Sequence, residues 1–263
     1  RKLMSAVGLT VLGSGSKGNA IVVHNEHSGL LIDAGLSLRQ IRLRMAKAGL
    51  SENLIKGILV THEHTDHVRS IRTCSEYFEV PVYASRLCAE KLKENKNYDC
   101  QPVLFTPGGS FELGEFNVLP FSVGHDAVEP VGFVVTCGSK KIGIALDLGR
   151  AGQTAEFLLR SCDTLAIESN HDLEMLAASG RPWYLKQRIL GPQGHLSNQQ
   201  GSELLGKVLA QNTRNVALVH ISEDCNTFEL AKETAAKKLN ELQRNDVVLK
   251  VAKQKDILPT LWA

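Results

Sequence analysis

The stretch THEHTDH, residues 61–67, places three histidines and one aspartate in six consecutive positions, directly after the apolar run GILV. Imidazoles and carboxylates are costly to bury and gain little on a surface, so such crowding asks for a cation. Neutral imidazole nitrogens with a carboxylate suit zinc, manganese or iron. His62 and His64 are two apart and share a side in extended backbone, whereas Asp66 and His67 lie past a turn and address a second point. One metal needs three or four ligands, and a pair needs more. The rest of the chain supplies them where apolar runs end: His125 closes LPFSVGH, Asp147 closes KIGIALD, His220 closes NVALVH, and Asp33 closes GLLID. One histidine at a strand end is ordinarily a polar residue leaving the core, but the HxHxDH cluster with three further strand-end ligands reads as a metal site. His24 and His27 flank a hairpin turn and read as solvent-exposed.

The elements that must position these groups follow from hydrophobic periodicity. LTVLG (9–13), AIVVH (20–24), GLLIDAG (29–35), GILVT (57–61) and VPVYAS (80–85) read as strands. Helices are expected at 37–50, with a stop at Gly49, at 68–78, and over RLCAEKLKEN. From Phe105 to Ile144 the pattern is β, through FNVLPFSVGH, VGFVVTCG and KIGIALDLG. There follow a helix (154–161), a strand (164–170), a Pro- and Gly-punctuated stretch (180–194), a helix (198–211), a strand (215–222) and a helix (227–242). Meanders in each half, with helices between and after them, predict two sheets packed face to face with helices outside.

The 263 residues, 43% hydrophobic, suffice for a large core. A net charge of +2 neither demands nor excludes nucleic acid. Arg1 to Ala6 hold no long apolar run, and no transmembrane window appears, so neither a signal peptide nor a membrane partner is expected. Six dispersed cysteines without a CxxC pair read as reduced thiols of a cytoplasmic protein.

HxHxDH after a strand, preceded by Asp33 and followed by His125, Asp147 and His220, resembles the metallo-β-lactamase fold superfamily over essentially the whole chain. The resemblance implies an α+β fold: one domain, residues 1–263, as a four-layer αββα sandwich with a dinuclear metal centre at the sheet edge. It implies two divalent ions, zinc or manganese first and iron as an alternative. His62, His64 and His125 would hold one, Asp66, His67 and His220 the other, and Asp147 would bridge them. Asp33 would hold the metal loop by hydrogen bonds. An aspartate at the bridging position, where many β-lactamases carry Cys or Ser, implies phosphodiesterase or thioesterase chemistry.

ESNHD (168–172), GHLSN (194–198) and LVHIS (218–222) resemble segments of ribonuclease Z-like nucleases. Carried over, Glu168 orients His195, which stabilises the phosphate charge or protonates the leaving oxygen, and Asp66 helps orient or deprotonate the attacking water. Without the resemblance, Glu168 reads as a surface acid and His195 as part of an ordinary helix start. His171 either lines the pocket or sits in a loop. From LGSGSKGN (12–19) to HISEDCN (220–226) the chain is similar to the YycJ (WalJ) group, small metallo-hydrolases associated with 5′-to-3′ exonuclease activity on DNA. Leu148 departs from that group, where a small residue or Thr is commoner, but it leaves Asp147 intact. The segment between Asp147 and His220 is too short for the extra domain of the larger RNA-processing members. The expected partner is a nucleic acid, DNA ahead of RNA; oligomeric state is left open.

GSGSKGN (13–19) lacks phosphate-loop spacing and precedes a strand, so it reads as a tight turn; the resemblance sets it at the cleft edge, with Ser14, Ser16 and Asn19 meeting substrate. RPWYLKQR (181–188) interleaves basic and aromatic residues: either Arg181 and Lys186 border the cleft, or the stretch starts an amphipathic helix with Trp183 packed inside. RQIRLRMAK (39–47) reads as a solvated helix face, and Cys225 as a packing residue. Two rival classes stand beside the nuclease: a small-molecule hydrolase (β-lactamase, lactonase or thioesterase), which needs a compact apolar pocket, and a binding scaffold, which would have lost ligands.

Overall fold

The computed structural model describes residues 6–263, so nearly all of the opening stretch read for a signal peptide lies outside the described residues. Several apolar runs are buried on both faces. In Ala20–His24, Ile21 and Val23 point to one core while Ala20 and Val22 point to another. That period of two, with apolar residues on both sides, marks a strand covered on both faces.

Among the described residues, fourteen strands form two mixed sheets. The first contains β1 (Gly8–Gly13), β2 (Ala20–His24), β3 (Gly29–Ile32), β4 (Ile55–Leu59), β5 (Val82–Ser85) and β6 (Val103–Phe105). The second contains β7 (Phe111–Leu113), β8 (Phe116–Ser122), β9 (Val131–Cys137), β10 (Lys140–Ala145), β11 (Thr164–Glu168), β12 (Asn215–Val219) and β13 (Val248–Val251). The last strand, β14 (Leu258–Trp262), returns to the first sheet and pairs antiparallel with β1. Strand orders are β14-β1-β2-β3-β4-β5-β6 and β13-β12-β11-β10-β9-β8-β7.

One apolar core, with Leu9, Ile21, Ile32, Phe116, Phe133 and Ile144, fills the space between the sheets. A second packs the first sheet against α1 (Leu38–Lys47), α3 (Ile71–Phe78) and α4 (Arg86–Lys93), just after the single turn of α2 (Thr65–Val68). A third packs the second sheet against α5 (Gln153–Leu159), α8 (Asn198–Val208) and α9 (Phe228–Glu241). The layers are therefore αββα, as the resemblance implied. No described helix is long and apolar enough to cross a membrane.

The topology explains where the chemistry gathers. β3 runs parallel to β4, and β10, β11 and β12 are mutually parallel. β8 shares the direction of β10, because each is antiparallel to β9. Their C-terminal ends open on one edge of the sandwich, where Asp33, His62, His125, Asp147, Glu168 and His220 follow or end these strands.

Two local readings change. The helix expected over 68–78 is broken at Arg69 and Ser70 into α2 and α3. The punctuated stretch holds α7 (Trp183–Leu190), preceded by α6 (Leu173–Ala178): Gly180, Pro182 and Gly191 bracket the helix rather than interrupt it. His24 is buried, not exposed. It meets the Thr10 hydroxyl at 3.0 Å and the edge of Trp262 at 5.1 Å, because β14 folds back over it. His27 is exposed as expected.

Candidate metal centre

The loop after β4 is held by a buried carboxylate. Asp33, in left-handed backbone at φ 60°, accepts from the Thr61 amide and hydroxyl, each at 2.8 Å, and from His67 Nδ1 at 2.7 Å. With Nδ1 engaged, His67 turns Nε2 toward Asp147 Oδ2, 2.8 Å away, and Asp66 Oδ2, 3.5 Å away. Gly35 is required beneath this loop, since a Cβ there would stand 1.6 Å from the Asp66 carbonyl oxygen. Only a residue without a side chain admits so close an approach of two backbones. That carbonyl accepts from the Asn19 amide at 2.8 Å.

Other contacts fix the remaining rings. His125 donates from Nδ1 to the Gly194 carbonyl at 2.9 Å, which leaves Nε2 facing His64 Nδ1 at 3.4 Å. His62 meets the Thr61 hydroxyl through Nδ1 at 3.0 Å, so its Nε2 is free. In the second sheet, Glu168 is wholly buried and accepts four hydrogen bonds: from the Leu148 and Leu196 amides, each at 2.9 Å, from His195 Nδ1 at 2.7 Å and from His220 Nδ1 at 2.8 Å. One carboxylate thus fixes two tautomers and directs two Nε2 atoms away from itself.

Side chains that could ligate a metal converge in overlapping sets: His62, His64 and His125; His62, His67 and Asp147; Asp66, His67 and His220; and Asp147 with Glu168, His195 and His220. Within each set their ligand atoms lie within 4.8 Å of one another. His62 Nε2 and His220 Nε2 are buried without a hydrogen-bond partner. Such atoms are costly unless a cation takes their lone pairs, and imidazole with carboxylate is the donor chemistry of divalent metals.

The electrostatics agree with that reading. Burial disfavours charge on Asp147, yet His220, His67 and His195 hold its carboxyl well below the usual range. Burial likewise opposes charge on His220, but Asp147, Asp66 and Glu168 outweigh it and raise the imidazole to about 9. Against the same opposition from burial, Asp147 and Asp33 raise His67 well above its ordinary value, and Glu168 and Asp147 do so for His195. His62, deep and beside other imidazoles, is pushed down. The carboxylates demand positive charge at this point; protons supply it until a metal displaces them.

A cavity of about 240 Å³ opens over the cluster, lined by His64, Asp66, His125, Asp147, His195 and His220 together with Ser16 and Arg181. Ser14 and Asn19 do not reach it. Both are buried; Ser14 donates to Asn19 Oδ1 at 3.0 Å and accepts from the His220 amide at 2.8 Å, while Asn19 Nδ2 approaches His67 Nε2 at 3.1 Å. They brace the ligand loops instead of facing a substrate. Lys186 is also absent from the wall and donates to the Ala177 carbonyl at 2.6 Å. His171 is buried beside the end of β11 and does not line the cavity. The sequence reading missed Asp126, Asn170 and Ser222, all on the wall, while Arg188 lies there as its basic-aromatic stretch allowed. Asn170 and Ser222 fall within the singled-out segments ESNHD and LVHIS, whereas Asp126 carried no signal. All six cysteines are free, and Cys225 packs with Leu176 and Ile189.

Fold and donor set together define a metallo-β-lactamase-fold metallo-hydrolase. Residues 29–221 match the family described as the beta-lactamase superfamily domain, and the chain belongs to that family of metal-dependent hydrolases. Among curated proteins it is similar to exodeoxyribonuclease YycJ of Bacillus anthracis, 34% identical over 235 residues that cover 88% of this chain and 89% of that one. It is also similar to exodeoxyribonuclease WalJ of Streptococcus pneumoniae, 32% identical over 93% of this chain and 92% of that one. Solved structures share the fold: the metallo-β-lactamase fold protein YhfI of Bacillus subtilis matches at TM-score 0.72 and 13% identity, covering 96% of this chain and 99% of that one. The short form of human tRNase Z matches at TM-score 0.63 and 17% identity, over 95% of this chain and 98% of that one.

Proposed function

We propose that this chain is a metal-dependent nuclease, more closely a 5′-to-3′ exonuclease acting on DNA. The observation that carries the reading is the buried Glu168 carboxylate, which holds the Nδ1 atoms of both His220 and His195. One Nε2 is thereby given to the metal donors, and the other stands beside them over the cavity. The names borne by the relatives at 34% and 32% identity support a phosphodiester substrate and favour DNA over RNA.

His62, His64 and His125 would hold one divalent ion, and Asp66, His67 and His220 a second, with Asp147 between them. Zinc or manganese suits these donors, and iron is the alternative. Two such ions activate water and neutralise charge on the phosphoryl oxygens. Asp66, 24% exposed at the cavity, would orient the attacking water. Glu168 is a positioning residue: it fixes the tautomer of His195 and favours the protonated form of that ring. His195 then donates its Nε2 proton to the departing oxygen, as a general acid should. The polar wall, with Arg181, Arg188 and Asp126, speaks against the apolar pocket that a lactam, lactone or thioester hydrolase needs.

The test is degradation of 5′-labelled single- and double-stranded DNA and of RNA with manganese or zinc, with His64→Ala as control. Loss from the 5′ end of DNA, absent in the variant, is the expected result. Metal-loaded protein that cleaves no nucleic acid would return the site to small-molecule hydrolysis.

A further inference from the structure

Helix α7 and the arginine before it form one wall of the cavity. Arg181, Leu185, Arg188 and Ile189 all line it, and the last three recur at the three- and four-residue spacing of one helix face. From Arg181 to Leu190 the sequence is RPWYLKQRIL, with three cations and no acid. The two wall arginines are tied only to carboxylates of neighbouring loops: Arg181 to Asp224 at 3.0 Å, and Arg188 to Asp126. Each pair leaves one partner largely open to water, Asp224 at 77% and Arg188 at 62% exposure. Exposed ion pairs are weak. A phosphate entering the cavity can take over either guanidinium, offering the same two-pronged oxygen geometry with greater charge.

Tyr184 is 72% exposed. It stands one turn before Arg188, on the ridge beside the cavity face. Nothing in the fold rewards an aromatic ring left in water there, whereas a nucleobase next to an Arg188-bound phosphate would cover it. Trp183 is 69% exposed. It faces the other way, on the side of Leu190.

Resting on the nuclease reading, we propose that α7 is the strand-engaging wall: Arg188 and Arg181 receive phosphates next to the scissile one, and Tyr184 stacks on a terminal base. A ring that stacks on a base face needs that face free of a neighbouring base, as it is at the end of a strand.

The experiment compares steady-state kinetics on a single-stranded oligodeoxynucleotide and on bis(p-nitrophenyl) phosphate, both with the manganese-loaded enzyme. Tyr184→Ala and Arg188→Gln should raise KM for the oligonucleotide roughly tenfold more than KM for the aryl diester. Tyr184→Phe, which keeps the ring, should restore the wild-type ratio. Trp183→Ala should leave both substrates unchanged. Arg188→Gln should also flatten the dependence of log KM on log salt by about 0.7, one phosphate contact on a single strand. Oligonucleotide KM unchanged in Tyr184→Ala and Arg188→Gln, with the wild type degrading DNA, would overturn the wall and leave the nuclease standing. Turnover of the aryl diester alone by the wild type would overturn both.

Discussion

Asp33 and Glu168 are the same device used twice. Each is a buried carboxylate at the end of a strand, β3 in one sheet and β11 in the other, and each accepts the Nδ1 proton of a histidine whose Nε2 faces the metal donors. They differ in what else they hold. Asp33 gives its other bonds to Thr61 and so fixes one loop and one imidazole. Glu168 ties two backbone segments and a second imidazole, His195, whose Nε2 is not needed by the metal set. Their acidities part accordingly. Burial pushes Asp33 up, and His67 with Thr61 only partly offset it. Burial would do the same to Glu168, but His195 and His220 bring it below its ordinary value. On the proposed mechanism, one added histidine would turn a structural support into a support for proton transfer.

Removing the charge at each site should separate the two roles. Glu168→Gln should cause the largest loss: a fall in kcat of about 100- to 10,000-fold, since His195 loses a partner that favours its protonated form. Metal affinity should also weaken, measured by calorimetric titration, because His220 loses the same partner. Asp33→Asn should cost about 10- to 100-fold in metal affinity, the ordinary penalty for losing a ligand's hydrogen-bond partner, while kcat at saturating metal stays near wild type. Equal kcat losses in the two variants would erase the distinction.

A smaller effect appears with pH. His220 is raised from 6.5 to about 9 by its carboxylate neighbours in the metal-free protein. Its contribution to stability, on the order of 3 kcal/mol, is therefore fully present below pH 6.5 and lost as pH rises through about 9. With a chelator the melting temperature should fall across that window. With metal bound it should not, because the ion replaces the proton, and metal uptake at pH 7 should release protons into weakly buffered solution. A chelated protein whose melting temperature is flat from pH 6.5 to about 9 would contradict the charge balance described for this site.

The contrast between the two halves of the site extends to how readily the sequence discloses them. His62, His64, Asp66 and His67 sit in one loop, so the crowding is visible in a line of residues. Asp147, Glu168, His195 and His220 come from four separate segments and meet only because β10, β11 and β12 run parallel and end together. Their strands were legible as apolar runs closed by a polar residue; the pairing of Glu168 with His195 came from family resemblance. What escaped depended on contacts between remote segments. His24 is buried because β14 returns to β1 from the far end of the chain, and no local pattern signals that return. The family resemblance set Ser14 and Asn19 among the cleft residues, yet their polar groups serve His220 and His67. Helix α7 was read only as one of two alternatives within a Pro- and Gly-punctuated stretch, and that reading packed Trp183 inside where the structure leaves it exposed.

The most direct test of the central claim is His195→Ala, assayed for 5′-end DNA degradation across pH, with metal content measured on the same preparation. A general-acid role predicts a fall in kcat of about 100- to 10,000-fold, loss of the alkaline limb that a protonated acid imposes, and unchanged metal content. Nuclease activity at the wild-type level with the metals in place would contradict it.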